Sequence, residues 1–208
     1  MTAPHDPTVA WLPRRERRSE PWRNGGGSTR QVAIDPPGAS VQSGFRWRVS
    51  LASVTADGPF SAFPGIDRSL WLLAGAGFEL AMAGRAVRLT QPLERLDFAG
   101  ETEVAARLLG GPTEDLNVMV DRAAIATTAA IVRLPAGETL RRALADAQHL
   151  VLVLDGAVAV PRWRARLGEH DAVRIDGAVD LDLAAAGAPA VLLLASFAAR
   201  RGVTSRAT

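Results

Sequence analysis

The residues best suited to chemistry cluster in Trp22-Arg23-Asn24-Gly25-Gly26-Gly27-Ser28-Thr29-Arg30. Three consecutive glycines let the backbone reach conformations and close approaches that a side chain forbids. An indole, an amide, two hydroxyls and two guanidinium groups flank them, so any close approach would occur beside polar donors. The segment lacks the spacing of a phosphate-binding loop, and no Lys-Ser/Thr pair follows it. By itself it fits a flexible turn between two strands equally well. Nucleophilic catalysis has little to build on. Cys is absent, no G-x-S-x-G elbow occurs, and the only histidines are His5, His149 and His170. A metal site of several imidazoles cannot be assembled from these three.

The elements that must position such residues read as short strands. After a Pro- and Arg-rich start to about Pro21, Arg46 to Leu51 alternates, with Trp47, Val49 and Leu51 on one face and Arg48 and Ser50 on the other. Leu70 to Ala74, a Gly75-Ala76-Gly77 turn and Phe78 to Met82 predict a hairpin. Arg85 to Leu89, Leu93 to Phe98, Val104 to Leu109 and Leu116 to Val120 continue at the spacing of all-β sandwiches and barrels. In the second half, Leu150 to Leu154 runs into Asp155-Gly156, and Ala172 to Ile175 into Asp176-Gly177. Asp-Gly between β-rich runs predicts a type I′ hairpin turn. Thr139 to His149 is ambiguous: residues 140, 143, 144 and 147 follow a helical period, so a short helix and a strand both fit. Two successive sets of about six strands predict an all-β protein of two tandem jelly-roll barrels. Residues 1–122 form the first and 123–208 the second, with the boundary near Asp121 to Thr127. Open edges need cover, so the two are expected to pack together and exchange N-terminal strands.

Three further blocks accompany the glycine segment. They are Trp47-Arg48-Val49-Ser50-Leu51-Ala52, then Asp57 to Leu70 with its Phe60-Ser61-Ala62-Phe63-Pro64-Gly65 centre, then Arg107 to Pro112 with Asp115-Leu116-Asn117-Val118-Met119. Together they resemble the HutD/Ves family, bacterial cupin-type proteins linked to histidine utilisation, across about residues 20 to 120. Over the last 85 or so residues only a general β-pattern agrees. The resemblance implies a bicupin of tandem double-stranded β-helix (cupin jelly-roll) barrels. It also implies a modulating role in histidine catabolism, with a pathway carboxylate such as a formylated glutamate or urocanate as ligand. The matching positions, and hence the ligand-binding set it implies, are Trp22, Asn24, Gly25, Thr29, Arg48, Ser50, Arg68 and Asn117. The second barrel would be structural, closing the first and forming a homodimer. Arg23 departs from the Lys often found there, and Val120-Asp121 replaces a more basic pair.

Many cupin enzymes hold a metal through G-x5-H-x-H-x3-4-E-x6-G and a His on a second motif. Laid on the first half with Gly75 as the final glycine, the motif places Arg68 where the liganding Glu would stand. Its histidine positions fall among Ser61, Ala62, Phe63 and Pro64, and the second motif meets Glu103 and Arg107. In the second half His149 takes the Glu position and Val179 the second-motif His. The expectation is a metal-free site with no cofactor. A guanidinium cannot ligate a cation, but its planar fork matches a carboxylate bidentately. Buried at a barrel mouth, Arg68 needs an anion, either Asp67 or Glu103 or a small anionic metabolite. The alternative is a cupin isomerase or hydrolase using Glu103 or Asp67 as base.

Composition bounds the remaining classes. All 24 basic residues of the 208 are Arg, and Lys, Tyr and Cys are absent. Nothing then titrates between neutrality and very high pH, so a pI near 10.6 overstates a formal charge of only +2. That balance, with no groove-reading motif, argues against nucleic acid despite the Arg14 to Arg18 run beside Trp11 and Trp22. The longest apolar run, about Ala188 to Ala199, contains Pro189 and Ser196 and is too short to span a bilayer. With no disulfides and no secretory signal, the expectation is a soluble cytoplasmic protein without membrane partners.

Overall fold

The computed structural model describes residues 6–200, and almost every regular element in it is a strand. The first half holds β1 (Thr8–Leu12), β2 (Ser19–Pro21), β3 (Gly27–Asp35), β4 (Trp47–Val54), β5 (Gly58–Pro59) and β6 (Ile66–Ala74). It continues through β7 (Phe78–Met82), β8 (Arg85–Leu89), β9 (Arg95–Ala99), β10 (Val104–Leu108) and β11 (Thr113–Asp121). The second half holds β12 (Ile125–Leu134), β13 (Thr139–Leu144), β14 (Gln148–Asp155) and β15 (Val158–Val160). It closes with β16 (Ala165–Leu167), β17 (Ala172–Asp176), β18 (Val179–Ala185) and β19 (Ala190–Ala199). No helix among the described residues is long and apolar enough to cross a membrane. His5 lies outside the described residues.

The strands make four sheets stacked as layers. The outermost pair in the first half is a four-stranded sheet, β5-β10-β7-β8, against a six-stranded sheet, β2-β3-β4-β11-β6-β9. Leu70, Leu72, Phe78, Leu80 and Leu89 fill the space between them. The other face of the six-stranded sheet packs on the five-stranded β1-β17-β14-β19-β12, through Trp47, Leu116, Leu150, Leu193 and Phe197. That sheet in turn covers β13-β18-β15-β16, with Val151, Val153, Val158, Val173 and Leu183 between. The central strands are therefore largely apolar on both faces, while β4, β6 and β11 carry a polar set toward the first four-stranded sheet. Strand β1, from the start of the chain, pairs with β17 and so completes a sheet of the second half.

Two local expectations need correction, and one open alternative is resolved. Gly75-Ala76-Gly77 does not close a hairpin, because β6 and β7 belong to different sheets. Asp155-Gly156 and Asp176-Gly177 likewise carry the chain across a sandwich, from β14 to β15 and from β17 to β18. At these corners glycine answers a close approach: a Cβ on Gly156, already at φ +75°, would run into the Pro189 carbonyl. Thr139 to Leu144 is a strand paired with β18, and the chain is extended again from Gln148. Backbone pairing outweighs the helical propensity of Ala and Leu there, and Leu144 is buried against the sheet.

Candidate functional site

Strands β4, β11 and β6 are neighbours in the six-stranded sheet, and their alternation aims one polar set at a single cavity. Met119 stands opposite Arg48 on one side and Arg68 on the other. Asn117 stands between Ser50 and Leu70, and Asp115 between Ala52 and Leu72. The two arginines thus share a row two strand spacings wide, about 10 Å. A cavity of about 520 Å³ opens over this face. Its far wall comes from the Trp22–Asn24 turn, from Val41 and Gln42 of the β3–β4 loop, and from Phe60, Ser61 and Phe63 ahead of β6.

The glycine segment builds one wall through its backbone. Trp22 N–H donates to the Gly27 carbonyl (2.8 Å), and Gly25 N–H to that of Trp22 (3.0 Å). The Asn24 side-chain oxygen accepts from Gly26 N–H (3.0 Å). The Trp22 ring lies over Gly27, where an added Cβ would strike both the ring and the Ser53 carbonyl. Trp22 Nε1–H then donates to Thr29 Oγ1 at 2.7 Å, so the indole is fixed at both ends.

Arg68 and Arg48 are both buried, yet differently engaged. Arg68 Nε and Nη2 donate to Asn117 Oδ1 at 3.2 and 3.1 Å, and Nη1 donates to the Ser61 carbonyl at 3.3 Å. The rings of Phe98, Phe60 and Phe63 surround its guanidinium at 4.8, 5.5 and 5.6 Å. Desolvation lowers its pKa to about 10, so the group remains charged at neutrality. Arg48 Nε–H donates to Gln31 Oε1 (3.1 Å), while Nη1 meets only Met119 Sδ at 4.0 Å. Desolvation lowers this guanidinium's pKa as well. Among the described residues, neither arginine has a carboxylate within ion-pair distance. Asp67, one expected partner of Arg68, pairs instead with Arg122 at 2.8 Å. Glu103, the other, borders a separate groove beside β10.

Behind Asn117 lies the one carboxyl group of the cavity floor. Asp115 is 1 % exposed and accepts from Asn117 Nδ2 at 2.9 Å. Burial pushes its pKa up to about 6, against the opposing pull of Asn117 and Arg68. Asp115, Asn117 and Arg68 thus form a chain that fixes the Asn117 amide in one orientation.

Of the eight residues expected from the sequence, Trp22, Asn24, Thr29, Arg48, Ser50, Arg68 and Asn117 line this cavity. Gly25 is exposed at the tip of its turn, at φ +71°, and shapes the wall only through the backbone. Sequence reasoning assigned no ligand-binding role to Asp115, Gln31, Phe60, Phe63, Phe98 or Met119, although Phe60, Phe63, Asp115 and Met119 stand in the blocks that carry the resemblance. Period-two alternation from Asn117 places Asp115 and Met119 on its face, so those two were within reach.

Metal-holding chemistry of the cupin type does not fit these donors. The cavity is lined by three guanidinium groups, amides, hydroxyls and two carboxyl groups, Asp115 on the floor and Glu20 at the rim. Among the described residues, no three His, Cys, Asp or Glu side chains come together. His149 is a core residue whose ring bonds Ser196 Oγ (2.8 Å) and the Ala145 carbonyl (2.9 Å).

Comparison with known proteins adds four findings. The sequence model of a family described as HutD matches residues 14–193. A curated Pseudomonas putida protein, described as an uncharacterized 21.2 kDa protein in the hutC 3' region, is 32% identical over 161 residues. The match spans 76% of this chain and 81% of that protein. The solved structure of HutD from Pseudomonas fluorescens SBW25 superposes with a TM-score of 0.80 at 27% identity, covering 93% of this chain and 100% of that one. A cupin 2 conserved barrel domain protein from Leptotrichia buccalis, at 12% identity and TM-score 0.57, covers 94% and 97% of the two chains and shares the fold.

Proposed function

The chain belongs to the HutD family, linked to histidine utilisation and built on cupin-type barrels, and we propose that its first-half cavity binds a small anionic metabolite. One observation carries this reading: two desolvated guanidinium groups face one cavity, and among the described residues no carboxylate lies within ion-pair distance of either. Buried cations call for a counter-anion, and a carboxylate supplies one with matching bidentate geometry. Arg48 presents the freer fork, since both Nη groups lack an oxygen partner. Arg68, held by Asn117 and Ser61, supplies a second positive charge, and Ser50 and Trp22 supply a hydroxyl and an apolar wall. A carboxylate of histidine breakdown, such as a formylated glutamate or urocanate, suits this lining, and its binding would modulate histidine utilisation.

Thermal denaturation tests the reading. Millimolar formylglutamate or urocanate is expected to raise the melting temperature, and the neutral amides are not. A ligand that binds only the native state stabilises it by about 2.7 kcal/mol at a hundredfold excess over Kd. Equal shifts with acid and amide would overturn the proposal.

A second reading, catalysis, is favoured by one specific residue. Neither Asp67 nor Glu103 lines the cavity; of the two carboxyl groups that do, Glu20 is exposed at the rim and Asp115 is buried on the floor, where its raised pKa near 6 suits general acid–base work. Turnover of pathway carboxylates, lost in Asp115→Asn, would establish it.

A further inference from the structure

The cavity floor carries a charge imbalance that depends on Asp115. Arg48 of β4 and Arg68 of β6 contribute two positive charges, and Asp115 of β11, the strand between theirs, is the single carboxyl of the floor. Its neighbours across the sheet are Ala52 and Leu72, and its named polar contact is the Asn117 amide. Other charges lie farther out. Glu114 on the same strand is met by Arg30 of β3 at 3.7 Å, while Glu20 of β2 and Arg23 stand at the cavity rim. On the opposing four-stranded sheet, Glu79 is paired with Arg88 and Arg107 on the exposed side.

We propose that Asp115 makes this cavity a proton-linked dicarboxylate site, accepting a dianion together with one proton and a monoanion with none. The inference rests on the anion reading above. With Asp115 ionised the floor has one net positive charge, which a monocarboxylate neutralises. A second carboxylate would leave a buried negative charge beside Asp115, a costly arrangement that protonation removes. Burial already holds Asp115 near the point of protonation, and a second buried carboxylate beside it raises the pKa further, by more than about two pH units, so that the bound site stays protonated at neutral pH. The bound state holds more protons than the free state, so dianion affinity rises as pH falls toward about 6 and levels off below it.

Titration calorimetry with fumarate and its monoamide, fumaramate, tests this, because both acids are fully ionised well below the relevant pH. Measured at pH 7.5 in two buffers of different protonation enthalpy, fumarate is expected to take up about one proton and fumaramate about none. Fumarate affinity is expected to rise about tenfold per pH unit as pH falls toward 6, and Asp115→Asn to abolish both slope and uptake. Fumarate binding without proton uptake by the wild-type protein would overturn the inference and leave the anion reading standing. Uptake that persists in Asp115→Asn would move the proton elsewhere and also overturn it. If neither compound binds at any pH, the anion reading fails and this inference with it.

Discussion

Arg48 and Arg68 differ in how much of each guanidinium is already engaged. Three of the donors on Arg68 are committed to Asn117 and Ser61, and three rings cover its faces. Arg48 retains its outer fork. The sequence alone ranked Arg68 first, from its place in the cupin motif; the free fork makes Arg48 the primary contact of the proposed anion. Arg48→Lys is therefore expected to weaken carboxylate binding at least tenfold with little change in melting temperature. One charge-assisted bond is worth about 1.5–3 kcal/mol, and an ammonium cannot make two in parallel. Calorimetric affinity within twofold of wild type would refute that assignment. Asp115 gives a second outcome at this scale. Its folded pKa lies above its unfolded value, so at pH 7 ionising it in the native state costs stability. Asp115→Asn should raise the melting temperature by several degrees above about pH 6. The gain should fade as pH falls from about 6 through 4 and vanish about one pH unit lower, where the wild-type carboxyl is neutral in both states. A constant difference across that range would show that Asp115 does not titrate as placed. The polar face was legible in the alternation of Arg48-x-Ser50 and Asp115-x-Asn117-x-Met119. The protonation behaviour was not, because it arises from burial that the opposite sheet and the phenylalanines provide.

At the scale of elements, the glycine triplet and the corners show where local patterns mislead. A type I′ hairpin and a crossing between sheets ask for the same residues, so Asp155-Gly156 looked like the former and serves as the latter. Only pairing partners distant in sequence separate the two. The strand β13 is similar: its Ala-Leu content reads as helix until β18 is there to pair with it. The triplet, in contrast, yields distinct roles for its members. Gly27 lies against the Ser53 carbonyl and the Trp22 ring, whereas Gly25 has open space around it and only its positive φ to defend. Gly27→Ala should displace Trp22, lowering stability by about 2 kcal/mol or more, about 4–8 °C for a chain of this size, and weakening anion binding with it. Gly25→Ala should cost about 1 kcal/mol and leave affinity near wild type. Circular-dichroism melts and tryptophan-fluorescence titrations of the two variants check this; indistinguishable behaviour would mean the close approach at Gly27 is not what holds the wall.

At the scale of the whole molecule, the two halves share a core rather than merely touching. Trp47 stacks on Phe197 with ring centroids 4.2 Å apart and planes within 4°, joining residues 150 positions apart in the chain. Beside that stack Trp47 Nε1–H donates to Gln148 Oε1 (2.6 Å), Gln148 donates to Asp35 (3.0 Å), and Arg174 pairs with Asp35 at 2.8 Å. No local pattern announces such contacts, although the expectation that the halves pack together followed from their open edges. The back of the cavity sheet is thus the wall of this shared core, since Trp47, Leu116 and Val118 alternate with Arg48, Asn117 and Met119. Cutting the contact from the far side should therefore unsettle both halves together. Phe197→Ala, far from the ligand, is expected to cost about 3–5 kcal/mol and to lower a single unfolding transition. In scanning calorimetry the van't Hoff and calorimetric enthalpies should agree for the wild-type protein, as they do for one cooperative unit. Residues 123–208 expressed alone should fail to fold, because they lack β1 along the β17 edge and expose the Leu150, Leu193 and Phe197 face. Two resolved transitions, with only the later one shifted by Phe197→Ala, would instead mean that the barrels are independent and that the cavity's stability owes nothing to its partner.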